Sequence, residues 1–390
     1  MSNVSMSNTS ISNADLEQAV NLSLEIIETN MNTLKEFPES CKGSMWTSVA
    51  QDRDSRHWVD GFWVGLLWLA FAHTQDSRFE DAARHWANKL SWLKDSVATH
   101  DLGFIFYLSH VLGARITGDD SLCANALHAA GTLIKRFNAK GEYLQAWGTP
   151  DGSRKDRGRI NIDVMMNLEL LYWASHASGD ARYANIATQH AQTSRLTLLR
   201  SDGSIAQVGD FDPDTGLLVR QETHQGFSFD GCWSRGHAWG QYGFATAYLY
   251  TARESFLAAS RATALYAQHN LPKDLVPFWD YDSPDIPNTY RDSSAAAVYA
   301  CGLLELQRAE HHADQAAVWH ELATQITHSL WRNYNTQDTN MPALLQQGSR
   351  SVPHGYMDHA LIYGDYYFFE ALTKLTRPDL AERAFPGASV

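Results

Sequence analysis

Along this chain, segments that are apolar nearly all round alternate with segments whose apolar residues recur at i, i+3 and i+4. One unit reads WVDGFWVGLLWLAFAHTQDSRFEDAARHWANKL from Trp58, the next HDLGFIFYLSHVLGARITGDDSLCANALHAAGTLIKRF from His100, and a third NIDVMMNLELLYWASHASGDARYANIATQHAQTSRLTLL from Asn161. Each holds an aromatic helix rich in small residues, a polar turn such as TGDD or SGDA, and a second, amphipathic helix. Weaker copies begin at Trp233 and Arg291, and the last begins near Tyr356. Six units at an irregular period of roughly 40 to 70 residues predict a repeat architecture in which neighbouring hairpins bury one another's apolar faces. The first helix of each pair belongs to an inner layer and the second to an outer one. The expected fold is all-α, a closed double ring of helices.

Length alone would suggest two or three domains of ~150 residues each. No Pro-, Gly- or Ser-rich linker divides the chain, however, and the hairpin pattern runs to its end. One domain over residues 13–390 is therefore expected. Residues 1–12, MSNVSMSNTSIS, are polar and low in complexity and are predicted to be disordered. A helix is expected to start near Asn13 or Asp15. The N-terminus lacks a basic segment followed by an apolar run, so no secretory signal is predicted. The longest apolar stretch, Gly61 to Ala72, falls short of the ~20 residues that span a bilayer. Cys41, Cys123, Cys232 and Cys301 have neither metal-ligand nor redox spacing, and a reduced, cytoplasmic protein is expected.

The net charge of -13 argues against nucleic acid or an anionic membrane as partner, since both require a basic footprint. A small anionic ligand would need a local cationic pocket. Arg235, set between Trp233 and Trp239, is the prime candidate, because its planar fork can grip a carboxylate. A structural ion pair with a neighbouring aspartate is the competing reading. Trp58, Trp63, Trp147, Trp233 and Trp239 lie at or near the starts of inner helices, which in a ring of hairpins converge on one mouth. Aromatic faces suit the apolar faces of sugar rings, with polar side chains for the hydroxyls; core packing is the alternative for any one of them. Asp101 and Asp163 each lie within a turn of an inner helix start. Alone, either is an ordinary cap. Together in a carbohydrate mouth they form an acid/base pair, provided that burial and mutual repulsion outweigh the helix dipole and keep one protonated.

The run SRHWVDGFWVGLLWLAF, followed by HDLGF, INIDVMMNLELLYWAS, GDFDPDTG, CWSRGHAWGQYGF, RDSSAAA and IYGDYYFFEAL, resembles the unsaturated glucuronyl hydrolases of glycoside hydrolase family 88. The resemblance extends from about Trp58 to the C-terminus. It implies an (α/α)6 barrel of six helical hairpins. It also implies a substrate: oligosaccharides, usually disaccharides, that polysaccharide lyases leave with a 4,5-unsaturated uronic acid at the non-reducing end. The implied chemistry is hydration of an enol ether, with no metal or organic cofactor. By position, Asp163 matches the general acid/base, and Asp101 the second aspartate that holds ring hydroxyls and keeps its partner's pKa high. Trp58, Trp147 and Trp239 match aromatic residues of the site, and Gln225 and Arg235 match residues that hold the uronate.

One position departs from the family pattern. Gln207 stands where members often have His; it can hydrogen-bond a hydroxyl but cannot carry a proton at neutral pH. It is retained as a substrate-binding candidate. On the aglycone side, Arg350, Ser351 and His354 are candidates for contact with a sulfate or a sugar hydroxyl, or belong only to an exposed loop. Three other readings stay open: an unsaturated rhamnogalacturonyl hydrolase acting on pectin fragments, a sugar epimerase, and a non-catalytic carbohydrate-binding barrel.

Overall fold

The computed structural model describes residues 13–48 and 54–387. The tail over residues 1–12 lies outside them. In chain order the helices are α1 (Asn13–Thr33), α2 (Asp60–Thr74), α3 (Ser77–Leu90), α4, α5 (Cys123–Leu133), α6 (Val164–Ser178), α7 (Ala181–Thr197), α8 (Ser234–Thr251), α9 (Glu254–Asn270), α10 (Ser293–Ala309), α11 (Ala313–Asn333), α12 (Ile362–Thr376) and α13 (Pro378–Ala384). Helix α4 is composite: α-helical turns at Leu102–Phe106 and Leu112–Thr117 flank a π-helical segment, Tyr107–Val111. The Ser109 carbonyl in that segment accepts a hydrogen bond from the Trp68 indole at 2.8 Å.

The even-numbered helices form the inner ring. Each packs on the next, α2 on α4, α6, α8 and α10 in turn, and α12 closes back on α2. These helices are buried along almost their whole length, which is why they are apolar all round. The odd-numbered helices α3 to α11 form the outer layer, as the hairpin pattern predicted. The sixth hairpin differs. The helix after α12 is the short α13, and the outer place beside α12 is taken by α1, which also touches α11 and α2. The (α/α)6 ring is thus closed by the beginning of the chain.

The polar turns have a physical cause. In the second and third hairpins, Gly118 and Gly179 adopt φ of 73°, the left-handed cap that a Cβ disfavours, and their N–H groups bond Ala114 O and Ser175 O. Asp119 and Asp180 follow at once, and their carboxylates accept the N–H of Ser121 and Arg182 to start the next helix. The same aspartate cap recurs in the first hairpin at Asp76.

Among the described residues the strands are short and confined to the loops that enter inner helices. β5 (Arg159–Asn161), β6 (Val208–Phe211) and β7 (Leu218–Glu222) form an antiparallel sheet just before α6, with Asn161 opposite Val208. β1 (Pro38–Cys41) pairs with β2 (Trp46–Ser48) and with β8 (Ala360–Leu361) just before α12. A third pair joins β3 (Phe137–Asn138) to β4 (Tyr143–Leu144). No helix among the described residues is long and apolar enough to cross a membrane.

At the mouth end the inner helices approach closely. A Cβ on Gly103 would stand 2.4 Å from Asn167 Cα, so α4 and α6 can meet there only without a side chain. Gly103→Ala should therefore lower stability by about 1–3 kcal/mol through overpacking. A urea midpoint equal to that of the parent protein would show that these helices part without cost.

Candidate active site

The starts of the inner helices and the loops before them enclose a cavity of about 530 Å³, within the range of small-molecule sites. Trp58, Phe104 and Trp239 line it as a continuous aromatic surface, with centroid separations of 5.8 Å and 5.3 Å between successive rings. Trp147 forms another wall, with the Arg159 guanidinium 4.4 Å from its ring centroid and His224 at its edge. Trp233 also lines the cavity. Trp63 does not: it is fully buried and packs edge-on against Trp86, so it belongs to the core.

Asp163 and Asp101 both face this cavity. Asp163 occupies the N-cap position of α6 but makes no side-chain cap bond. Its Oδ1 is shielded from solvent and has no hydrogen-bond partner. Burial, and then the charge of Asp101, push its pKa up to about 7, while Arg235 opposes the shift. Desolvation and the second carboxyl thus outweigh the helix dipole. Asp101 sits at the corresponding position of α4, again without a cap bond. Its carboxylate accepts from Thr99 Oγ1 at 3.1 Å and from Asn167 Nδ2 at 3.4 Å. Asn167, one turn into α6, also accepts the N–H of Phe104 at 2.9 Å. This clip spans the Gly103 contact and fixes the two aspartates relative to each other.

Arg235 makes the structural ion pair and also stands at the cavity. It is almost fully buried and forms an ion pair with Asp292, the N-cap of α10. It also lines the cavity, between Trp233 and Tyr363, whose ring centroids lie 4.6 and 5.1 Å from its Cζ. Further guanidinium N–H groups donate to Ser349 O and Arg350 O, both at 2.6 Å. The loop bearing Arg350, Ser351 and His354 is thereby tied to the inner ring, and all three residues line the cavity.

Gln225 lines the cavity, but Gln207 does not. Gln207 lies behind it, with its amide bonded to neighbouring groups. Its Oε1 accepts from Thr223 Oγ1 and from the N–H of His224 and Gln225, at 2.7 to 2.9 Å, while its Nε2 donates to Gln225 Oε1 at 2.8 Å. Its carbonyl oxygen is occupied within the protein, and one of its two amide N–H groups is used on Gln225. The structure thus places Gln207 outside the cavity lining, where it shapes the loop that presents His224 and Gln225.

Among the cavity residues that escaped the sequence reading are two histidines and a glutamate. His100, next to Asp101, carried a signal in its adjacency alone. His224 stands 4.8 Å, centroid to centroid, from His354. Glu39 arrives on β1 from the far end of the chain, pairs with Arg350 across the mouth, and had no local signal at all.

A carboxyl whose pKa is raised to about 7 by burial and a second carboxyl, within a wall of aromatic rings, suits an enzyme that acts on sugars. Residues 28–317 match the model of Glycosyl Hydrolase Family 88. The unsaturated glucuronyl hydrolase of Bacillus sp. (strain GL1) is 36% identical over 369 residues, covering 93% of this chain and 97% of that protein. The crystal structure of the Bacillus sp. GL1 enzyme superposes with a TM-score of 0.88, at 34% identity over 93% of this chain and 97% of that one. The unsaturated chondroitin disaccharide hydrolase of Streptococcus pneumoniae (strain ATCC BAA-255 / R6) is 34% identical, over 92% and 91% of the two chains. The chain belongs to glycosyl hydrolase family 88, as a glycosidase of the unsaturated glucuronyl hydrolase type.

The raised Asp163 pKa has a consequence for stability. In the unfolded chain this group ionises near its ordinary value of 3.8, and in the fold near 7. Between those values the native state keeps a proton that the unfolded state has lost, so the contribution of Asp163 to stability falls as pH rises through that window. Asp163→Asn should be more stable than the parent at pH 7 by up to about 4 kcal/mol, with the advantage vanishing toward pH 4. Denaturation curves at both pH values check this, and a pH-independent difference would contradict it.

Proposed function

We propose that the protein hydrates the C4=C5 double bond of a 4,5-unsaturated glucuronic acid at the non-reducing end of lyase-generated oligosaccharides, with Asp163 as both acid and base. The observation that supports this most is the state of Asp163: an unpartnered Oδ1 at the cavity and a carboxyl half-protonated near neutrality. A group poised there can donate and then recover a proton at little cost. Asp163 delivers its proton to C4, the electrons of the double bond form the new C–H bond, and positive charge appears at C5, shared with the ring oxygen. Water adds to C5 and yields its proton to the Asp163 carboxylate. The hemiketal opens, and C1, left as a hemiacetal, expels the aglycone as an alcohol. One water is consumed, and no further co-reactant is needed.

The other site residues take supporting roles. Asp101 keeps Asp163 protonated and accepts ring hydroxyls. Trp58, Trp147 and Trp239 offer faces to the sugar rings, and Gln225 with Arg235 holds the uronate end. The donors of Arg235 are partly spent on Asp292 and two carbonyls, so it contributes mainly positive potential and its remaining N–H groups. Residues 13–390 act as one catalytic domain, since the ring needs α1 at one end of the chain and α12 at the other. Four unpaired thiols among the described residues support a reducing, cytoplasmic setting.

Arg350 is the cation best placed for an anionic group on the aglycone, and Glu39 already neutralises it. An unsulfated aglycone is therefore the better partner. Unsulfated unsaturated disaccharides should turn over with a higher kcat/KM than their sulfated counterparts. Glu39→Gln, which frees Arg350, should shift that ratio toward the sulfated ones by about tenfold, the equivalent of one charged hydrogen bond. A ratio that does not move would place the Glu39–Arg350 pair outside substrate selection.

Loss of the ultraviolet absorbance of the conjugated enol ether is the direct test of the reaction. Unsaturated disaccharides mixed with the protein should lose it. Asp163→Asn should slow the loss by several orders of magnitude, because it removes two proton transfers worth roughly 10² to 10⁴ each. Constant absorbance across a panel of lyase products would reject the reaction, and near-parental activity in the variant would reject the role of Asp163.

A further inference from the structure

Trp58, Trp239 and Trp147 all line the cavity, but they are held in different ways. Trp58 packs against the rings of Phe62, Phe104 and Tyr363, and Trp239 against Phe104 and Tyr367, so the inner helices fix both. Trp147 stands on the loop after β4, where the Gln145 amide donates to its carbonyl at 2.6 Å, a bond that fixes the backbone but not the ring. What faces the indole is a cation. The Arg159 guanidinium carbon lies 4.4 Å from the ring centroid, well inside the ~6 Å reach of a cation–π contact. Trp147 lines the cavity and Arg159 does not, so the guanidinium covers the ring from behind and leaves its other face to the cavity.

We propose that Arg159 is a positioning residue: it holds the Trp147 indole at the angle a sugar ring requires, and it acts on substrate only through that ring. The proposal rests on the reading of Trp147 as a platform for a sugar.

The sheet before α6 keeps the guanidinium in place. Successive side chains of a strand point to opposite faces. Ile160 is fully buried on one side of β5, while Arg159 and Asn161 take the other, and Asn161 lines the cavity. The strand therefore turns Arg159 toward the wall of the mouth. Its carbonyl accepts the N–H of Ala146 at 2.8 Å, which sets the strand beside the residue that precedes Trp147. Across the sheet, Nη2 donates to Glu222 Oε2 on β7 at 3.1 Å. An arginine placed for an ion pair alone would grip its carboxylate through two parallel N–H groups. Here Glu222 is shared with Arg220, at 2.6 Å, and serves Arg159 as an anchor. The Arg159 Nε is shielded from solvent and bonds no acceptor among the described residues. A buried donor left unspent costs free energy, and the electron-rich face of the indole offsets part of that cost. His224 stands at the edge of the same indole, its ring centroid 6.4 Å away.

A cycle of two substitutions, read with an unsaturated disaccharide, tests this. Arg159→Met keeps an unbranched side chain and removes the planar cation. It should raise KM about fivefold, the loss of one cation–π contact, while kcat stays within about twofold of the parent value. In a Trp147→Ala background the same substitution should add nothing, because the ring through which Arg159 acts is gone. Equal effects in the two backgrounds, or an unchanged KM in Arg159→Met alone, overturn the proposal. Should Arg159→Met not fold, Arg159→Lys takes its place; it keeps the charge without the planar fork and should raise KM by a smaller factor. The hold on the ring is also read without turnover. The share of tryptophan fluorescence that disappears in Trp147→Phe should become more open to acrylamide quenching in Arg159→Met, and unchanged quenching overturns the proposal. An unchanged KM in Trp147→Ala would instead remove the reading of Trp147 as a platform, and the quenching would still decide whether Arg159 holds the ring.

Discussion

A carboxylic acid at the head of a helix ordinarily ionises well below neutrality, because the backbone N–H groups there favour the anion. The mouth of this barrel opposes that tendency by placing a second carboxyl near the first and shielding both from much of the solvent. The apposition depends on the contact between α4 and α6, where Gly103 offers no side chain and Asn167 bridges the two helices. The inner ring behind them must be packed tightly enough to hold the two helix starts in register, and its continuous apolar surface does so. Acid strength at one residue is thus a property of how two helices meet.

Arg235 performs a parallel task on the opposite side of the mouth. It stands in α8, pairs with the N-cap of α10, and holds two carbonyls of the loop that precedes α12. One guanidinium therefore ties three neighbouring modules together at the level where substrate enters. Breaking a pair buried this deeply would leave an uncompensated charge in the ring wall, so the residue serves structure and ligand together. Gln207 works on the same principle with neutral groups, setting one loop from behind so that its neighbours can face the cavity.

The hairpin repeat, the inner and outer layers, and the two aspartates were legible in the sequence because each depends on local chemistry. A Gly-Asp turn needs a left-handed residue and then a cap, and the alternation of fully and partly apolar helices follows from their layer. The rest required spatial knowledge. The residue type of Gln207 allows contact with a hydroxyl, but only the fold shows its amide bonded to the loop behind the cavity. Trp63 and Trp58 look alike in sequence, and only the packing of α2 on its neighbours makes one a core residue and the other a wall of the site. Glu39 belongs to a strand more than three hundred positions from its ion-pair partner, a relation that no local pattern encodes. His100 was overshadowed by the aspartate beside it.

Helix α1 takes the outer place beside α12, and its Asn30 side chain donates to Pro342 O at 2.7 Å across a sequence separation of 312. On the ribosome this helix emerges well before α12 and must wait for its partner to be made. Until then its apolar face is uncovered, and the inner ring is an open arc with two unsatisfied edges. Such a delay is the setting in which large proteins meet chaperones and kinetic traps. Closure of the ring pairs segments far apart in sequence, contacts of the high order that slow folding. The catalytic mouth, built from loops contributed around the whole circle, is assembled at the same moment, so an unfinished nascent chain carries the aspartates but lacks the enclosed site.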